Sequence, residues 1–450
     1  MKTKATQSAA PVRGRDSFPQ VREPEAAPVA PAAGPTITSA SRFVFAPIDK
    51  ALLVLTSIFI FVLPMPHTVT IRLSVLFLAV LLSIVVVAKR GMPTLPLKWP
   101  IAAWTVVAGL SLLYAIQPWY SLAEIKSEIL YGVAAYFLFY SQSHSERQWN
   151  VWLKVLLASL AVLSLGNIIL WANTGQAQSP WYFYNGVGSY TSFFVTTFPF
   201  VLLLFFLIPA RGVPRVALRV APFLFLIPVL LTRNRAVWFA FAISTAVLFG
   251  LVIAKAQTVK HKRRLQFALV LLVVVSAVLL YGTLENRLVV RSGSLGAGAL
   301  IEETLQRDLR LPLWKFLISE ISEHPWRGAG FGLLSFDYAY PEWQKQYPAL
   351  FHAHNIFVDA GVQMGVPGIL VMVLLFCAVL REYWRLYRSD LRLLQWIGAC
   401  GIAMVIGMLV KNMTDHFFTR DLALMFWALV GMSLGYAKRI ESGTAHSGRV

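Results

Sequence analysis

Long apolar segments recur through the chain at a spacing that only a membrane explains. They lie at roughly 46–66, 69–88, 99–116, 121–140, 150–171, 188–209, 216–231, 236–254, 265–283, 355–380, 393–411 and 420–437. Most approach the ~20 residues that a helix needs to cross hydrocarbon. Inside a bilayer the backbone must satisfy its own hydrogen bonds, so such segments predict helices. The expected fold is an all-α polytopic membrane protein of about twelve transmembrane helices. The span 216–231 is short and holds Pro222 and Pro228, so it is expected to be tilted or broken. Only 14% of the residues are charged, against about 25% in soluble chains, and 57% are hydrophobic.

The net charge of +19 does not point to nucleic acid, because the basic residues cluster in short stretches between apolar runs. Loops following even-numbered spans carry Lys89, Arg90, Lys98, Arg147, Lys154, Arg211, Arg215 and Arg219. They also carry Lys255 to Arg264 and Arg381 to Arg392, making 17 basic residues against three acidic ones. The short loops on the other side carry six basic residues against four acidic. By the positive-inside rule the first side is cytoplasmic, and both termini lie there. Residues 1–45, rich in Ala, Pro, Ser and Arg, read as a disordered cytoplasmic tail, and 438–450 as a cytoplasmic tail. Cys377 and Cys400 fall within apolar segments, which excludes a disulfide framework.

One connection is long. Residues 284–353 separate spans 1–9 (46–283) from spans 10–12 (354–437) and hold seven basic and eight acidic residues. Leu300, Ile301, Leu305 and Leu309 repeat at helical spacing, and so do Leu313, Trp314, Phe316, Leu317, Ile318 and Ile321. Pro312 favours a fresh helix start between them. The segment is therefore expected to be a large loop on the outer side, with amphipathic helices lying on the membrane surface.

That loop ends in Phe351-His352-Ala353-His354-Asn355. An imidazole at this boundary suits a general base, although an interfacial histidine of no catalytic importance fits equally well. Two histidines alone are weak grounds for a metal site, and none is expected. Asn355, Asp359 and Gln363 recur every four residues on one face of span ten. An ionisable residue there predicts a face lining an aqueous cavity; the alternative is a hydrogen-bond seam between helices. Arg233 and Arg235, in Thr232-Arg-Asn-Arg235, run against the charge bias of their side and call for an anionic partner. Together with Arg307 and Arg310 they are candidates for a diphosphate clamp, although Glu302, Glu303 and Asp308 offer Arg307 ordinary salt bridges. No Asp-x-Asp pair, P-loop or dinucleotide fingerprint is present.

These residues resemble the bacterial O-antigen ligase family. The resemblance is carried by Thr232-Arg-Asn-Arg235, Arg310-Leu-Pro-Leu-Trp314, Gly328-Ala-Gly-Phe-Gly332, and His354-Asn355 followed after nine residues by Gly365-Val-Pro-Gly368. It implies a GT-C-like fold in the bacterial inner membrane with a periplasmic active site. It also implies transfer of O-antigen glycan from undecaprenyl diphosphate to lipid A-core, without cofactor. Carried over by motif, His354 is the base, and Arg235 and Arg310 bind the diphosphate. Arg233, beside Arg235, is a second candidate for that role, and Asn355 and Asp359 support the site. O-antigen polymerases and protein O-oligosaccharyltransferases share this architecture and donor. A lipid-linked substrate transporter or flippase is the alternative of another class. It leaves a folded loop ending in histidine without a purpose.

Overall fold

The computed structural model describes residues 39–174, 187–207, 234–255 and 309–447, apart from positions 66, 144, 349 and 417, together with isolated positions between 225 and 274. The chain divides into Met1–Ala46 and Pro47–Val450. The expected cytoplasmic tail, the spans at 216–231 and 265–283, and the first amphipathic repeat fall wholly or largely outside the described residues. All regular structure among those residues is helical.

The helices are α1 (Ser39–Val62), α2 (Val69–Arg90), α3 (Lys98–Ser111) and α4 (Pro118–Glu124). Alpha-4 continues through a π-helical turn, Ile125–Leu130, into α5 (Tyr131–Gln142). Then come α6 (Glu146–Thr174), α7 (Val187–Leu207), α8 (Arg235–Ala254) and α9 (Arg310–Glu323). The last are α10 (Ser335–Ala339), α11 (Pro341–Gln346), α12 (Ile356–Tyr387), α13 (Arg392–Asn412) and α14 (Arg420–Ser447). Five stretches, in α2, α6, α8, α12 and α13, are long and apolar enough to cross a membrane.

The packing is that of a lipid-solvated bundle. Helix α2 turns Arg72, Leu76, Ala79, Ser83 and Val86 inward, while Phe77, Leu78, Leu81, Ile84 and Val85 are exposed. Lipid solvates the apolar face, and the polar side chains find partners inside. Ser83 meets Ser141 Oγ at 2.9 Å, and Gln142 Nε2 donates to Ser83 at 2.8 Å. Helix α14 is buried along most of its first half and lies parallel to α5. A Cβ on Gly431 would lie 2.5 Å from the Tyr136 carbonyl oxygen, and one on Gly435 2.5 Å from that of Tyr140. Glycine spaced four apart thus lets the two backbones touch.

Helix α12 is broken. Gly365 sits at φ 69° and ψ −163°, and Pro367 removes a further donor just beyond it. The break frees carbonyls of the preceding turn, and the Gly328–Gly332 segment takes them up. Ala329 N donates to Val362 O at 2.7 Å, and Gly330 N to Gln363 O at 3.0 Å. Val366 N, past the break, donates to Pro325 O at 2.8 Å. The two glycine motifs singled out in the sequence are thus the two halves of one joint.

Helices α9 to α11 cap this joint over a small core of Leu313, Leu317, Phe336, Leu350, Ala353 and Val362. Helix α9 begins at Arg310 with Pro312 in its first turn, as the sequence predicts. Trp314 Nε1 donates to Ala353 O at 2.6 Å, which ties α9 to the histidine-bearing loop.

Candidate active site

The segment 351–355 is built tightly. Asn355 caps α12, its Oδ1 accepting from Phe357 N at 3.0 Å and Val358 N at 3.2 Å. Its Nδ2 donates to Met413 O at 3.1 Å, so the same side chain fastens the α13–α14 loop. Such a cap is worth about 1 kcal/mol. His354, just before the cap, has φ 51°, a conformation that non-glycine residues seldom adopt. It persists because the surroundings hold it there, and strain of this kind concentrates at functional sites.

The held ring meets a carboxylate that no motif in the sequence marks. His354 Nδ1 lies 3.1 Å from Asp415 Oδ1, and His352 Nε2 lies 3.0 Å from the same oxygen. The two imidazole centroids are 3.9 Å apart, with Phe351 against both. An ionised carboxylate only accepts, so each histidine donates to it. That assigns the proton of His354 to Nδ1 and leaves Nε2 as an acceptor. Nε2 is buried and has no hydrogen-bond partner among the described residues, and neither has Nδ1 of His352.

Asp415 also accepts from His416 N at 3.0 Å and lies 3.6 Å from Lys411 Nζ. Burial pushes its carboxyl up, but the bonds from His352 and His354 and the Lys411 charge outweigh burial and hold it well below the usual carboxylate range. For His352, burial outweighs the pull of Asp415 and lowers its pKa, which favours the neutral ring.

Beneath this cluster Asp359 is fully buried. Its Oδ2 accepts from His416 Nδ1, and its Oδ1 from Ala353 N at 3.4 Å. Gln363 Oε1 accepts from Gly332 N at 3.0 Å. The expected aqueous cavity along Asn355, Asp359 and Gln363 is therefore corrected. All three side chains are buried and bonded to neighbouring segments, because the break in α12 and the loop around it supply backbone partners on that face. The seam is the alternative that the sequence left open.

Arg310 opens α9 one turn before Trp314 and is close enough to Lys411 for their charges to act on each other. It therefore stands on the same side of the fold as Asp415 and the histidines. Arg235 opens α8, capped by Asn234 Oδ1 accepting from Val237 N at 3.4 Å. Helices α8 and α13 run antiparallel: Ser244 Oγ donates to Ala403 O at 2.8 Å, and Tyr387, packed on Gly398, donates to Leu251 O at 2.9 Å. Continuing that register to the start of α8 sets the Arg235 backbone near the level of Asp415. Arg233 lies outside the described residues.

One nitrogen from each of His352 and His354 and an oxygen of Asp415 lie within 4.8 Å of one another, a grouping that has the donor types of a metal site. The two nitrogens concerned point at the carboxylate, so the same arrangement is complete as a hydrogen-bonded triad. The sequence pairs His354 with Arg235 and Arg310 but misses Asp415 and His416. Their only signal is two ionisable residues in the short connection between spans eleven and twelve.

A family model described as O-antigen ligase matches residues 220–373. That stretch holds Arg235, Arg310, His354 and Asp359, the glycine joint, and the segment with Arg233; Asp415 lies beyond it. No curated protein matches the chain.

Proposed function

We infer a role in glycan transfer at a membrane from the match over residues 220–373, a stretch in which the chain is similar to O-antigen ligases. From it we propose that this protein transfers an O-antigen glycan from undecaprenyl diphosphate to lipid A-core at the periplasmic face of the inner membrane. The observation that carries the reading is the free Nε2 of a buried, strained His354 whose Nδ1 is committed to Asp415.

The acceptor hydroxyl gives its proton to His354 Nε2 as its oxygen bonds to the anomeric carbon. The bond from that carbon to the diphosphate oxygen breaks, and the diphosphate leaves with the electron pair. The Arg310 guanidinium, with Arg235 or Arg233, takes up the growing charge. Asp415 steadies the imidazolium that forms, as the carboxylate of a catalytic triad does. A diphosphate leaves without a general acid, so one base suffices. Displacement from the face opposite the leaving group inverts the anomeric centre. Asp359, already bonded to His416 and Ala353 N, supports the loop and is not the nucleophile.

The test is transfer by purified protein from a lipid-diphosphate glycan to a lipid A-core acceptor, with His354→Gln beside the wild type. Loss of transfer at normal protein level and with donor binding retained is expected. Comparable transfer by the variant overturns the reading. A product made by lengthening the donor-borne glycan would reassign the protein as a polymerase.

A further inference from the structure

The continuous helix α4–π–α5 has two unlike faces. One buries Glu124 and Glu128 against the bundle, with Arg420 Nη2 donating to Glu124 at 3.2 Å. The other, with α3, bounds an open apolar groove of about 660 Å³. Ile101 and Thr105 of α3 line it, with Leu122, Ala123 and Ile129 opposite. Trp119 stands at one end, 84% exposed, and Lys126 lies within the groove wall.

Lys126 carries the inference. It is exposed on a wall that is otherwise apolar save for Thr105, whose hydroxyl is spent on Ile101 O; it lies about 10 Å along the helix from Trp119 at 1.5 Å per residue, and no carboxylate pairs with it among the described residues. A cation at that depth in a bilayer is costly unless it meets an anion or snorkels to one. Trp119 marks the interfacial end, since indoles favour that level. The groove runs from Trp119 to Val133, roughly 20 Å, which is close to one leaflet of a ~30 Å core with part of its headgroup layer.

We propose that this groove seats an acyl chain of a phosphorylated, multiply acylated glycolipid, with Lys126 on its phosphate. The inference rests on the transferase reading above and places its acceptor. The register between α5 and α14 sets Trp119 near the level of Asp415: Gly132 packs on Trp427, and Gly431 on Tyr136. A glycolipid whose phosphate meets a snorkelling Lys126 therefore has its sugars extending toward the height of His354. In the proposed mechanism the donor diphosphate belongs to Arg310, whose charge acts on Lys411 of α13, so Lys126 is left for a second phosphate-bearing lipid. A leaflet-long groove also suits an acyl chain better than a polyprenyl tail, which outruns it.

The test is capture of a bis-phosphorylated, hexa-acylated glycolipid by the full-length protein in nanodiscs, read by native mass spectrometry without turnover. Ala123→Trp, which fills the groove, and Lys126→Ala should each weaken capture about tenfold or more, the scale of a lost charge-assisted bond. Lys126→Arg should keep it, and capture of a polyprenyl diphosphate should be unchanged in all three, which also reports that they are folded. Unchanged glycolipid capture in the first two variants overturns the proposal. So does equal competition by phosphatidylglycerol, which would make the groove an unselective phospholipid site. Because binding is read apart from transfer, an active His354→Gln enzyme would remove the base while leaving this result to stand or fall alone.

Discussion

His354 Nδ1 lies 3.1 Å from Asp415 Oδ1, across 61 residues of sequence, and this contact leaves Nε2 as the remaining nitrogen of that ring. Asp415→Asn replaces an acceptor-only carboxylate with an amide that also donates, so it no longer enforces the Nδ1–H tautomer. We expect kcat to fall by roughly 10²–10⁴, the scale of a misplaced base. Donor KM should change little, because in the proposed mechanism Asp415 acts through His354 and not on the donor. A rise in KM at unchanged kcat would make Asp415 a binding residue and refute the positioning role.

Stability should fall as the medium is acidified, and His352 sets the upper part of that window. Its folded pKa is lowered by burial, so below about 6.5 the unfolded chain binds a proton that the folded chain resists. Stability is thus full above about 6.5 and lost as pH drops through the lowered folded value. Asp415 acts in the same direction at lower pH. Its folded pKa is depressed, so its contribution is present above about 3.9 and disappears only as pH falls through the folded value. Melting midpoints from pH 7.5 to 5 should therefore decline for the wild type and flatten for His352→Gln. A midpoint that rises on acidification would mean that the ring is charged in the folded protein.

The sequence is most informative where backbone geometry demands particular residues. Pro312 announces the start of α9, and the glycines at 328–332 and 365–368 mark a joint whose two halves lie some thirty residues apart. The single-face pattern of Asn355, Asp359 and Gln363 also holds, but its meaning changes. Periodicity shows that three polar groups share a face; it cannot show that Gly332 N and Ala353 N will be there to bond them. Asp415 and His416 escape notice for a related reason. They sit in a short connection with no period and no spacing to His354, and they matter only because Asn355 bonds Met413 O and draws that connection against the histidines.

Gly365 should tolerate no side chain. Its φ of 69° penalises any L-residue by about 1–2 kcal/mol, and a Cβ there would lie 2.6 Å from Pro325 O and 3.0 Å from Arg327 N, both backbone atoms. Gly365→Ala is therefore expected to lower the melting midpoint and to loosen the Val366–Pro325 bond, with transfer reduced through the displaced loop. Hydrogen exchange at residues 325–332 measures this directly. Unaltered exchange and melting would show that the joint is not what holds the loop.

The proposed arginine clamp makes a paired prediction about charge. The chain has no Asp-x-Asp pair, and the donors of His352, His354 and Asp415 that come within 4.8 Å of one another are engaged with each other as a hydrogen-bonded triad. Transfer should therefore proceed in excess EDTA, and the diphosphate's charge falls to protein cations. The charges of Arg310 and Lys411 act on each other, so the neighbourhood of Arg310 is already positive. What it adds is a planar fork that can hold two phosphate oxygens at once, which a second point charge cannot reproduce. Arg310→Lys should consequently lose much of the activity at unchanged net charge, and Arg310→Ala should cost roughly 2–5 kcal/mol, the scale for truncating one partner of a buried charge pair. Both losses should appear in handling of the diphosphate donor, with glycolipid capture unaffected. Inhibition by EDTA together with full activity of Arg310→Lys would mean that the triad holds a cation and that the metal, not the arginine, meets the leaving group.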